Sequence, residues 1–549
     1  MIDDYLARGY WDAVSLTDIL EQNALKYPDK EAVVDSTTRN TWSQLNRLTD
    51  RIALRLVELG VERAQAIVAQ LPNSVIQLTL CMAFQKAGIL SSFAPMTFRH
   101  TEMEHVLKTL KAVGVVTLGK YRGFDYFNMA KQLAPSLPEL KYIFVVGDDV
   151  PQDALSIKQM SEEPIEERYP KDYLRGYSYS ALEVSSVVLS SGTTGMPKCI
   201  EHIGAGCKAA GWGVVQRTRL TSDDVFGIIA PFSGGPAFQS WWSALQLAAK
   251  VCLLERFSPE GTLELIQRER VTFLSAIPTQ IVRILRETDL SKYDLSSLRV
   301  VRTGAAAFDA SLAKETEERM GCKVVVAGGS QETYSFAQTG VDDPPEVRTA
   351  TLGRPFPKTE LKIVDNDGSE VPQGEVGELW VRGAASSSGY YQDIEATIAA
   401  WGELGKNGWY RTGDLAKFDR QGNLLLVGRK KDMILRGGQN IFPREIENIL
   451  VTHPKVQDVA IVGIPDPVLG ERACACVVPK QGQKPTLEEI VPFLKGKGVA
   501  IYKLPEKLEL ITSLPMLADG QKVDKRLLVK GIAERLKLES QIDVERRDK

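Results

Sequence analysis

The chain has 549 residues, of which 44% are hydrophobic and 25% charged, a composition that is typical of globular proteins and excludes a disordered or collagen-like chain. Lys and Arg total 67 against 70 Asp and Glu, so the chain lacks the basic excess of a dedicated nucleic-acid binder. Its length predicts about three to four domain equivalents. Seven scattered cysteines without a CxxC pair predict reduced thiols and a cytoplasmic location.

Two segments bear on targeting and on membrane association. The start of the chain, Met1–Arg8, is acidic and has no apolar centre, so no signal peptide is expected. The most apolar stretch, Val75–Phe93, is interrupted by Gln77, Gln85 and Lys86. It falls short of the about 20 apolar residues that a membrane span requires. We therefore expect a protein that does not associate with membranes.

Helix-like and strand-like segments alternate before Thr359, which predicts an α/β fold with helix-covered sheets and some parallel strands. The predicted helices here are Leu16–Lys26, Leu45–Leu59, Ile76–Ala87, Trp241–Ala248 and Leu263–Arg268. The predicted strands are Ala66–Gln70, Ile89–Phe93, Ile143–Val146, Ser185–Leu189, Val225–Ala230, Val251–Leu254, Thr272–Ala276, Leu298–Val301 and Lys323–Ala327.

From Thr359 onward the pattern changes to short strands separated by Gly and Asp turns, which predicts a β-rich module. Its strands are Leu361–Val364, Val376–Arg382 and Leu424–Val427. After Arg429 a compact α+β unit is predicted, with helices Pro443–Val451, Leu487–Lys495 and Lys525–Leu536 and strands Val456–Val462 and Ala473–Val478. These patterns predict two domains, residues 1–430 and residues 431–549, the second being the smaller.

The segment Ser190–Lys198, with the sequence SSGTTGMPK, follows the predicted strand Ser185–Leu189. Small residues expose backbone N–H groups, hydroxyls add donors and the lysine adds a charge, a combination that suits a polyphosphate. The glycine spacing differs from that of a Walker A loop, and Cys199 stands where Ser or Thr would follow the lysine. A flexible surface turn is the alternative for the loop alone.

Other motifs follow in order: YRTGDL at Tyr410–Leu415, GRKKDMI at Gly428–Ile434, GGQNIFP at Gly437–Pro443 and GQKVDKR at Gly520–Arg526. With the loop Ser190–Lys198 they make the chain resemble the acyl-adenylate-forming superfamily over residues 15–535. That superfamily includes acyl-CoA synthetases, aryl-acid adenylating enzymes and luciferases. The resemblance implies two reactions: a carboxylic acid and ATP form an acyl-adenylate and pyrophosphate, and a thiol then takes the acyl group.

The resemblance also implies roles for individual residues. Asp414 would accept hydrogen bonds from both ribose hydroxyls, with Arg429 beside it or simply solvated at the hinge. Glu332 would bind Mg²⁺, and Lys198 and Lys522 would neutralise charge on the phosphates and the attacking carboxylate. The implied ATP-binding residues are Ser190, Ser191, Gly192, Thr193, Thr194, Gly195, Lys198, Gly304, Ala305, Ala306, Gly328, Gly329, Ser330, Gln331, Asp414, Arg429 and Lys522.

Gly328 departs from the family pattern, because relatives usually carry there an aromatic residue that packs on adenine. The sequence therefore assigns no residue to that role. The carboxylic acid is expected to contact Phe232, Gly234, Gly235, Gly304 and Tyr334. The Gly234–Gly235 pair leaves volume, or alternatively forms a turn, and the loop lacks the asparagine of hydroxybenzoate-specific relatives. These features favour an uncharged, largely apolar aromatic, alicyclic or short branched acid.

Coenzyme A is the expected acceptor, with Arg436, Gly437 and Gly438 as candidate contacts and Lys431 at the hinge of a domain rotation. Two alternatives stay open. One is a stand-alone acid–AMP ligase that loads a carrier protein, and the other is a nucleotide-binding regulator without activity. The expected small-molecule partners are thus a carboxylic acid, ATP with Mg²⁺, and coenzyme A. The oligomeric state is open, with a homodimer as one candidate.

Overall fold

A computed structural model of the chain describes residues 2–190, 196–304, 308, 310–402, 408–466, 468–517 and 523–535. In chain order its helices are α1 Ile2–Ala7, α2 Leu16–Lys26, α3 Trp42–Glu58, α4 Val75–Ala87, α5 His100–Thr109, α6 Tyr126–Leu133, α7 Ile157–Glu162, α8 Gly204–Thr218, α9 Gly235–Leu247, α10 Pro259–Glu269, α11 Pro278–Glu287, α12 Ala310–Met320, α13 Pro345–Ala350, α14 Ile394–Trp401, α15 Pro443–Leu450, α16 Leu487–Gly496 and α17, 525–535.

The strands in chain order are β1 Glu31–Val34, β2 Arg39–Thr41, β3 Ala66–Ala69, β4 Leu90–Phe93, β5 Gly114–Leu118, β6 Lys120–Tyr121, β7 Phe124–Asp125, β8 Tyr142–Val146, β9 Leu155–Ser156, β10 Val184–Ser190, β11 Lys198–Ile203, β12 Val225–Ile228, β13 Lys250–Leu253, β14 Phe273–Ser275, β15 Val300–Gly304, β16 Lys323–Ser330, β17 Tyr334–Gln338, β18 Arg354–Pro355, β19 Thr359–Val364, β20 Gly377–Gly383, β21 Gly389–Tyr390, β22 Tyr410–Phe418, β23 Leu424–Arg429, β24 Ile434–Arg436, β25 Gln439–Ile441, β26 Val456–Asp466, β27 Gly470–Pro479 and β28 Lys507–Leu510.

Contacts within the chain divide it into two compact units. The first comprises Met1–Leu361, Trp380–Arg411 and Gly422–Leu424, and the second comprises Lys362–Leu379, Thr412–Gln421 and Leu425–Lys549. The domain limits predicted from the sequence, 1–430 and 431–549, stay a prediction. Among the described residues, no helix has the length and apolar character needed to cross a bilayer.

Two large sheets form the first unit. One has the order β18-β17-β16-β15-β14-β12-β13-β1-β2, with parallel pairing from β16 to β1 and antiparallel strands at both edges. The other has the order β21-β11-β10-β4-β3-β5-β8-β9 and is parallel from β10 to β9. Parallel strands need crossover connections, and helices provide them here. The α/β class predicted from the alternating pattern is confirmed.

The second unit has its own core. Strands β25, β24, β27 and β26 form one sheet, to which β28 adds alongside β27. Apolar residues of α15 and α16, among them Ile446, Leu450 and Ile490, pack on one side of this sheet with no solvent exposure. A further sheet, β19-β20-β22-β23, holds the β-rich segment that the Gly and Asp turns predicted. The C-terminal α+β unit is therefore present as a separate module.

Helix α8 packs closely on α9 and on Phe356, and two glycines make this packing possible. A Cβ atom added to Gly211 would lie 2.7 Å from the carbonyl carbon of Trp242, and one added to Gly213 would lie 2.3 Å from the ring of Phe356. Such distances are shorter than any van der Waals contact, so both positions require glycine. The close fit holds α9 in place, and α9 begins at Gly235, one of the residues predicted to contact the acid.

Candidate active site

The loop predicted to bind phosphates lies between two antiparallel strands. Strands β10 and β11 pair Leu189 with Cys199 and Ser190 with Lys198, so Ser190 ends one strand and Lys198 begins the next. The predicted residues Ser191, Gly192, Thr193, Thr194 and Gly195 lie outside the described residues. The structure thus fixes the base of the loop and the position of its lysine.

Lys198, Tyr390 and Glu332 form a connected group in the first unit. The ammonium group of Lys198 donates a hydrogen bond to the phenol oxygen of Tyr390 (3.3 Å) and lies 4.5 Å from the centre of its ring. The phenol donates to Oε1 of Glu332 (3.0 Å). Burial, and then the charge of Glu332, raise the pKa of Tyr390 far above its ordinary value, so the phenol stays protonated as a donor.

Tyr390 belongs to none of the motifs, and sequence reasoning missed it. It ends the short strand β21, pairs with Ile200 of β11 and is 6% exposed. Its backbone N–H donates to Oγ1 of Thr397 (2.9 Å), and its ring packs edge-on against Trp401. These contacts fix the phenol between a cation and a carboxylate that are far apart in the sequence.

The turn that carries Glu332 is fixed by its backbone. The N–H of Ser387 donates to the carbonyl oxygen of Glu332 (2.7 Å), and Nε2 of His202 lies 2.7 Å from the carbonyl oxygen of Gln331. A carbonyl can only accept, so His202 carries its proton on Nε2. Burial lowers the pKa of His202 to about 4, and the ring is therefore neutral at pH 7. His202 and Ser387 hold the predicted Mg²⁺-binding residue in place.

The glycines before Glu332 have no room for a side chain. A Cβ at Gly329 would lie 2.2 Å from the carbonyl oxygen of Tyr334. A Cβ at Gly328 would lie 2.4 Å from Cδ1 of Leu352 and 3.1 Å from the ring of Phe336. The volume in which a side chain at position 328 would begin is therefore occupied by Leu352 and Phe336.

Three predicted acid-binding residues lie together. A Cβ at Gly235 would lie 3.4 Å from Oε1 of Gln331, 3.5 Å from Nε2 of Gln239 and 3.8 Å from the ring of Tyr334. Tyr334 is 1% exposed, its ring lies 4.3 Å from that of His202, and its φ of +50° is unusual for a bulky residue. Gly234 precedes the helix as its N-cap.

The other two predicted acid-binding residues are placed differently. Phe232 is buried, and its ring packs on Phe93 and Phe238 at 5.9 and 4.7 Å between ring centres. Gly304 ends β15, where a Cβ would lie 2.5 Å from the carbonyl oxygen of Ala327. Ala305 and Ala306 lie outside the described residues. Contact of Phe232 and Gly304 with an acid stays a prediction.

Asp414 and Arg429 form an ion pair in the second unit. Nε of Arg429 lies 3.0 Å from Oδ1 of Asp414, whose side chain is 12% exposed. The backbone N–H of Asp414 donates to Oγ1 of Thr412 (2.9 Å), which in turn donates to the carbonyl oxygen of Leu379 (2.7 Å). The carboxylate is thus oriented by its own strand and by the guanidinium.

The residues predicted to bind the acceptor, Arg436, Gly437 and Gly438, form part of a β-hairpin in the second unit. Arg436 pairs with Gln439 across a two-residue turn, in which Gly437 (φ +56°) and Gly438 (φ +82°) adopt the left-handed conformation that favours glycine. Arg436 donates to both carboxylate oxygens of Glu506 (3.1 and 2.7 Å). Lys431 lies in a short 3₁₀ turn, Lys430–Asp432.

The predicted catalytic lysine, Lys522, lies outside the described residues. Lys198, Glu332 and the residues Gly328, Gly329, Ser330 and Gln331 belong to the first unit, whereas Asp414 and Arg429 belong to the second. The structure therefore brings the predicted residues together in two groups.

Comparisons with known proteins agree with the motifs. The model of the family "AMP-binding enzyme" matches residues 20–391, and that of the "AMP-binding enzyme C-terminal domain" matches residues 445–521. The chain is 30% identical to 2,3-dihydroxybenzoate-AMP ligase of Bacillus subtilis, over 98% of this chain and 97% of that protein. It is 33% identical to 2-hydroxy-7-methoxy-5-methyl-1-naphthoate–CoA ligase of Streptomyces carzinostaticus, over 95% and 94%.

The fold also matches solved structures. The amide bond synthetase McbA of Marinactinospora thermotolerans superposes with a TM-score of 0.83, covering 94% of this chain and 99% of that one at 27% identity. The relatives act on different acids and differ in what their names say they transfer the acid to. The similarity therefore identifies neither the acid that this chain uses nor the acceptor of the acyl group.

Proposed function

The chain belongs to the AMP-binding enzyme family of acyl-adenylate-forming ligases, and on that premise we propose that it is a cytoplasmic carboxylic acid–CoA ligase. It would use ATP and Mg²⁺ to form an acyl-adenylate and pyrophosphate, and then transfer the acyl group to the thiol of coenzyme A. The observation that carries the adenylation step is the linked group Lys198–Tyr390–Glu332 at the base of the phosphate loop.

Adenylation of a carboxylate requires cations beside the phosphates of ATP. A carboxylate is a poor acyl donor, and attack on the α-phosphorus of ATP converts one of its oxygens into part of a phosphate leaving group. Attack brings two anions together, so cations beside the phosphates lower the barrier. Lys198, at the end of the loop, supplies one cation. Lys522, matched by the family motif, is the proposed second, bridging the acid and an α-phosphate oxygen.

Glu332 suits a magnesium site. It offers one carboxylate, and the phosphates of ATP supply further hard oxygen ligands, the donor set that Mg²⁺ prefers. When bound, the ion neutralises charge on the phosphates. Oε1 of Glu332 accepts a hydrogen bond from the phenol of Tyr390, and the carbonyl oxygen of Glu332 accepts one from the N–H of Ser387. The chain thus orients the carboxylate before any ligand arrives.

Asp414 is the proposed ribose ligand. Its carboxylate can accept hydrogen bonds from both hydroxyls of the ribose, a charge-assisted bidentate arrangement. Arg429, at 3.0 Å, holds Oδ1 of this carboxylate and adds a donor for the nucleotide. Lys431, two residues further along the chain, is the proposed hinge of the rotation that separates the two reactions.

Coenzyme A is the proposed acceptor, and the likeness to the naphthoate–CoA ligase supports it. Arg436 is the proposed contact for a phosphate of coenzyme A. To bind it, the guanidinium must release the hydrogen bond that it donates to Glu506. The likeness to 2,3-dihydroxybenzoate-AMP ligase favours a second candidate function, in which the activated acid is passed to a carrier protein. Both functions share the first reaction and differ in the second.

A two-stage assay tests the proposal. Acid-dependent release of pyrophosphate from ATP and Mg²⁺, measured over a panel of aromatic, alicyclic and short branched acids, tests adenylation. Each active acid is then incubated with ATP and coenzyme A alone, and thioester is detected by mass spectrometry. We expect thioester with at least one acid. Pyrophosphate release without any thioester would reject the CoA ligase in favour of carrier loading, and no release with any acid would reject adenylation itself.

A further inference from the structure

Arg302 is a buried guanidinium with no carboxylate partner in the part of the chain that the structure describes. Its side chain extends from β15 and is 2% exposed. Nε donates to Oε1 of Gln338 (2.7 Å), and Nη2 donates to Oε1 of Gln239 (3.0 Å) and Oγ of Ser335 (2.8 Å). All three acceptors are neutral. Burial lowers the pKa of Arg302 to about 9, so the side chain is still cationic at neutral pH.

Other buried cations of this fold are paired with acids. Lys86 is 1% exposed and lies 2.5 Å from a carboxylate oxygen of Asp50. Arg348 is 5% exposed and lies 2.8 Å from Glu317. A buried cation without a counter-ion is strongly unfavourable, because it loses its hydration and gains no opposite charge. The neutral surroundings of Arg302 therefore call for an explanation beyond packing.

Hydrogen-bonding groups without a partner lie at Arg302, on its neighbour Gln338 and beside Gly235. A guanidinium has five N–H donors, and among the described residues the two on Nη1 have no partner. Nε2 of Gln338, which is fully buried, also lacks a partner there, as does Oε1 of Gln331. Buried polar groups are normally satisfied, so the partnerless Nε2 of Gln338 beside the guanidinium, together with Oε1 of Gln331 beside Gly235, indicates a missing polar ligand.

This polar cluster adjoins the residues predicted to bind the acid. Nε2 of Gln239, whose oxygen accepts from Arg302, donates to the carbonyl oxygen of Gly235 (3.1 Å). Ser335, the second acceptor of Nη2, directly follows Tyr334. Arg302 is thus connected through Gln239 to Gly235 and directly to Ser335, the neighbour of Tyr334. A ligand group that passes Gly235 toward β15 would meet the guanidinium.

We propose that Arg302 is a specificity-determining residue of the acid pocket, and that the substrate carries, besides its reacting carboxylate, a second oxygen acceptor that this guanidinium binds. A carboxylate or a hydroxyl oxygen both supply this chemistry. The inference rests on the proposed adenylation and replaces the expectation of an uncharged, largely apolar acid with that of an acid carrying a polar second group. The apolar walls would hold the body of the acid, and Arg302 would supply a charge-assisted hydrogen bond to its second group.

Matched acids test the wild-type enzyme first. The value of kcat/KM for acid-dependent pyrophosphate release is compared among benzoate, 2-hydroxybenzoate and benzene-1,3-dicarboxylate, and among the corresponding cyclohexane acids. We expect at least one oxygen-substituted acid to exceed its unsubstituted parent by about tenfold or more. The hydroxyl and carboxylate members distinguish the two sources of the oxygen. No preference for any substituted acid would overturn the inference, while release with the parents would leave adenylation standing.

Variants then assign the preference to Arg302. In Arg302→Met the ratio of kcat/KM between the preferred acid and its parent should fall about tenfold or more, and Arg302→Lys should recover part of it. Lys86→Met removes another buried cation and should leave the ratio unchanged. An equal loss on both acids in Arg302→Met, or an equal change of the ratio in Lys86→Met, would overturn the inference. The ratio is independent of the folded fraction of each preparation.

Discussion

Replacing Tyr390 by Phe removes one hydroxyl and keeps the ring. The change deletes the hydrogen bond from Lys198 (3.3 Å) and the one to Glu332 (3.0 Å), while the contact of the ammonium group with the ring at 4.5 Å can persist. A hydrogen bond to a charged group contributes about 1.5–3 kcal/mol. If one such interaction is lost in the transition state, kcat/KM for adenylation should fall about 10- to 150-fold.

The assay is acid-dependent pyrophosphate release with ATP and Mg²⁺ varied in turn. Because the phenol orients the carboxylate of Glu332, the Mg²⁺ concentration for half-maximal rate should also rise in Tyr390→Phe. The control is Tyr391→Phe, at the next residue, whose phenol accepts one 3.4 Å hydrogen bond within the described part of the chain, from Gln392. A Tyr390→Phe enzyme within about twofold of the wild type, or an equal loss in Tyr391→Phe, would refute the reasoning.

Three further predictions concern single carboxylates and one lysine. Burial raises the pKa of Glu269, but Arg39, Lys250 and Arg268 outweigh burial and hold it at about 2. Glu269 therefore stabilises the fold above pH 4.5, by on the order of 3 kcal/mol. Measured by urea unfolding, Glu269→Gln should have a lower free energy of unfolding than the wild type at pH 7. The difference should shrink as the pH falls toward 2, because the wild-type carboxylate is then protonated. A difference that stays constant down to pH 2 would contradict this prediction. Asp414→Ala should raise KM for ATP about tenfold or more while KM for the acid changes little, and unchanged nucleotide affinity would speak against the ribose contact. Lys522→Ala should slow pyrophosphate release by orders of magnitude yet spare thioester formation from supplied acyl-adenylate, and equal loss of both reactions would reject its assigned role.

Local signals determined how well each helix was predicted. The bounds of α2 agree with the prediction because Ser15 caps the helix, with Asp18 completing a capping box before a regular apolar pattern. Helix α8 was not predicted. Its sequence is rich in glycine, which is unfavourable in an isolated helix by about 1 kcal/mol for each residue. Gly211 is needed for the close approach of α9 and Gly213 for that of Phe356, and these requirements arise only in the tertiary structure.

In the candidate site, too, residues in local motifs can be predicted from the sequence, and residues placed by tertiary contacts cannot. Glu332, Asp414 and Lys198 lie in continuous motifs, so the sequence reveals them. Tyr390 lies 58 residues from the carboxylate it contacts and 192 residues from Lys198, and the pairing of β21 with β11 places it beside that lysine. His202 acts on Gln331 across 129 residues. No local pattern encodes such pairs, because they depend on how strands from distant segments are ordered in a sheet.

Tyr334 has a left-handed backbone, and this has a consequence for altering what the enzyme accepts. A bulky residue with φ near +50° is strained by about 1–2 kcal/mol, whereas glycine adopts that conformation freely. Enlarging the proposed acid pocket by Tyr334→Gly would therefore return part of the stability that the lost ring contacts remove. Most residues lining a binding cavity offer no such compensation, which makes position 334 a favourable starting point for engineering acceptance of larger acids.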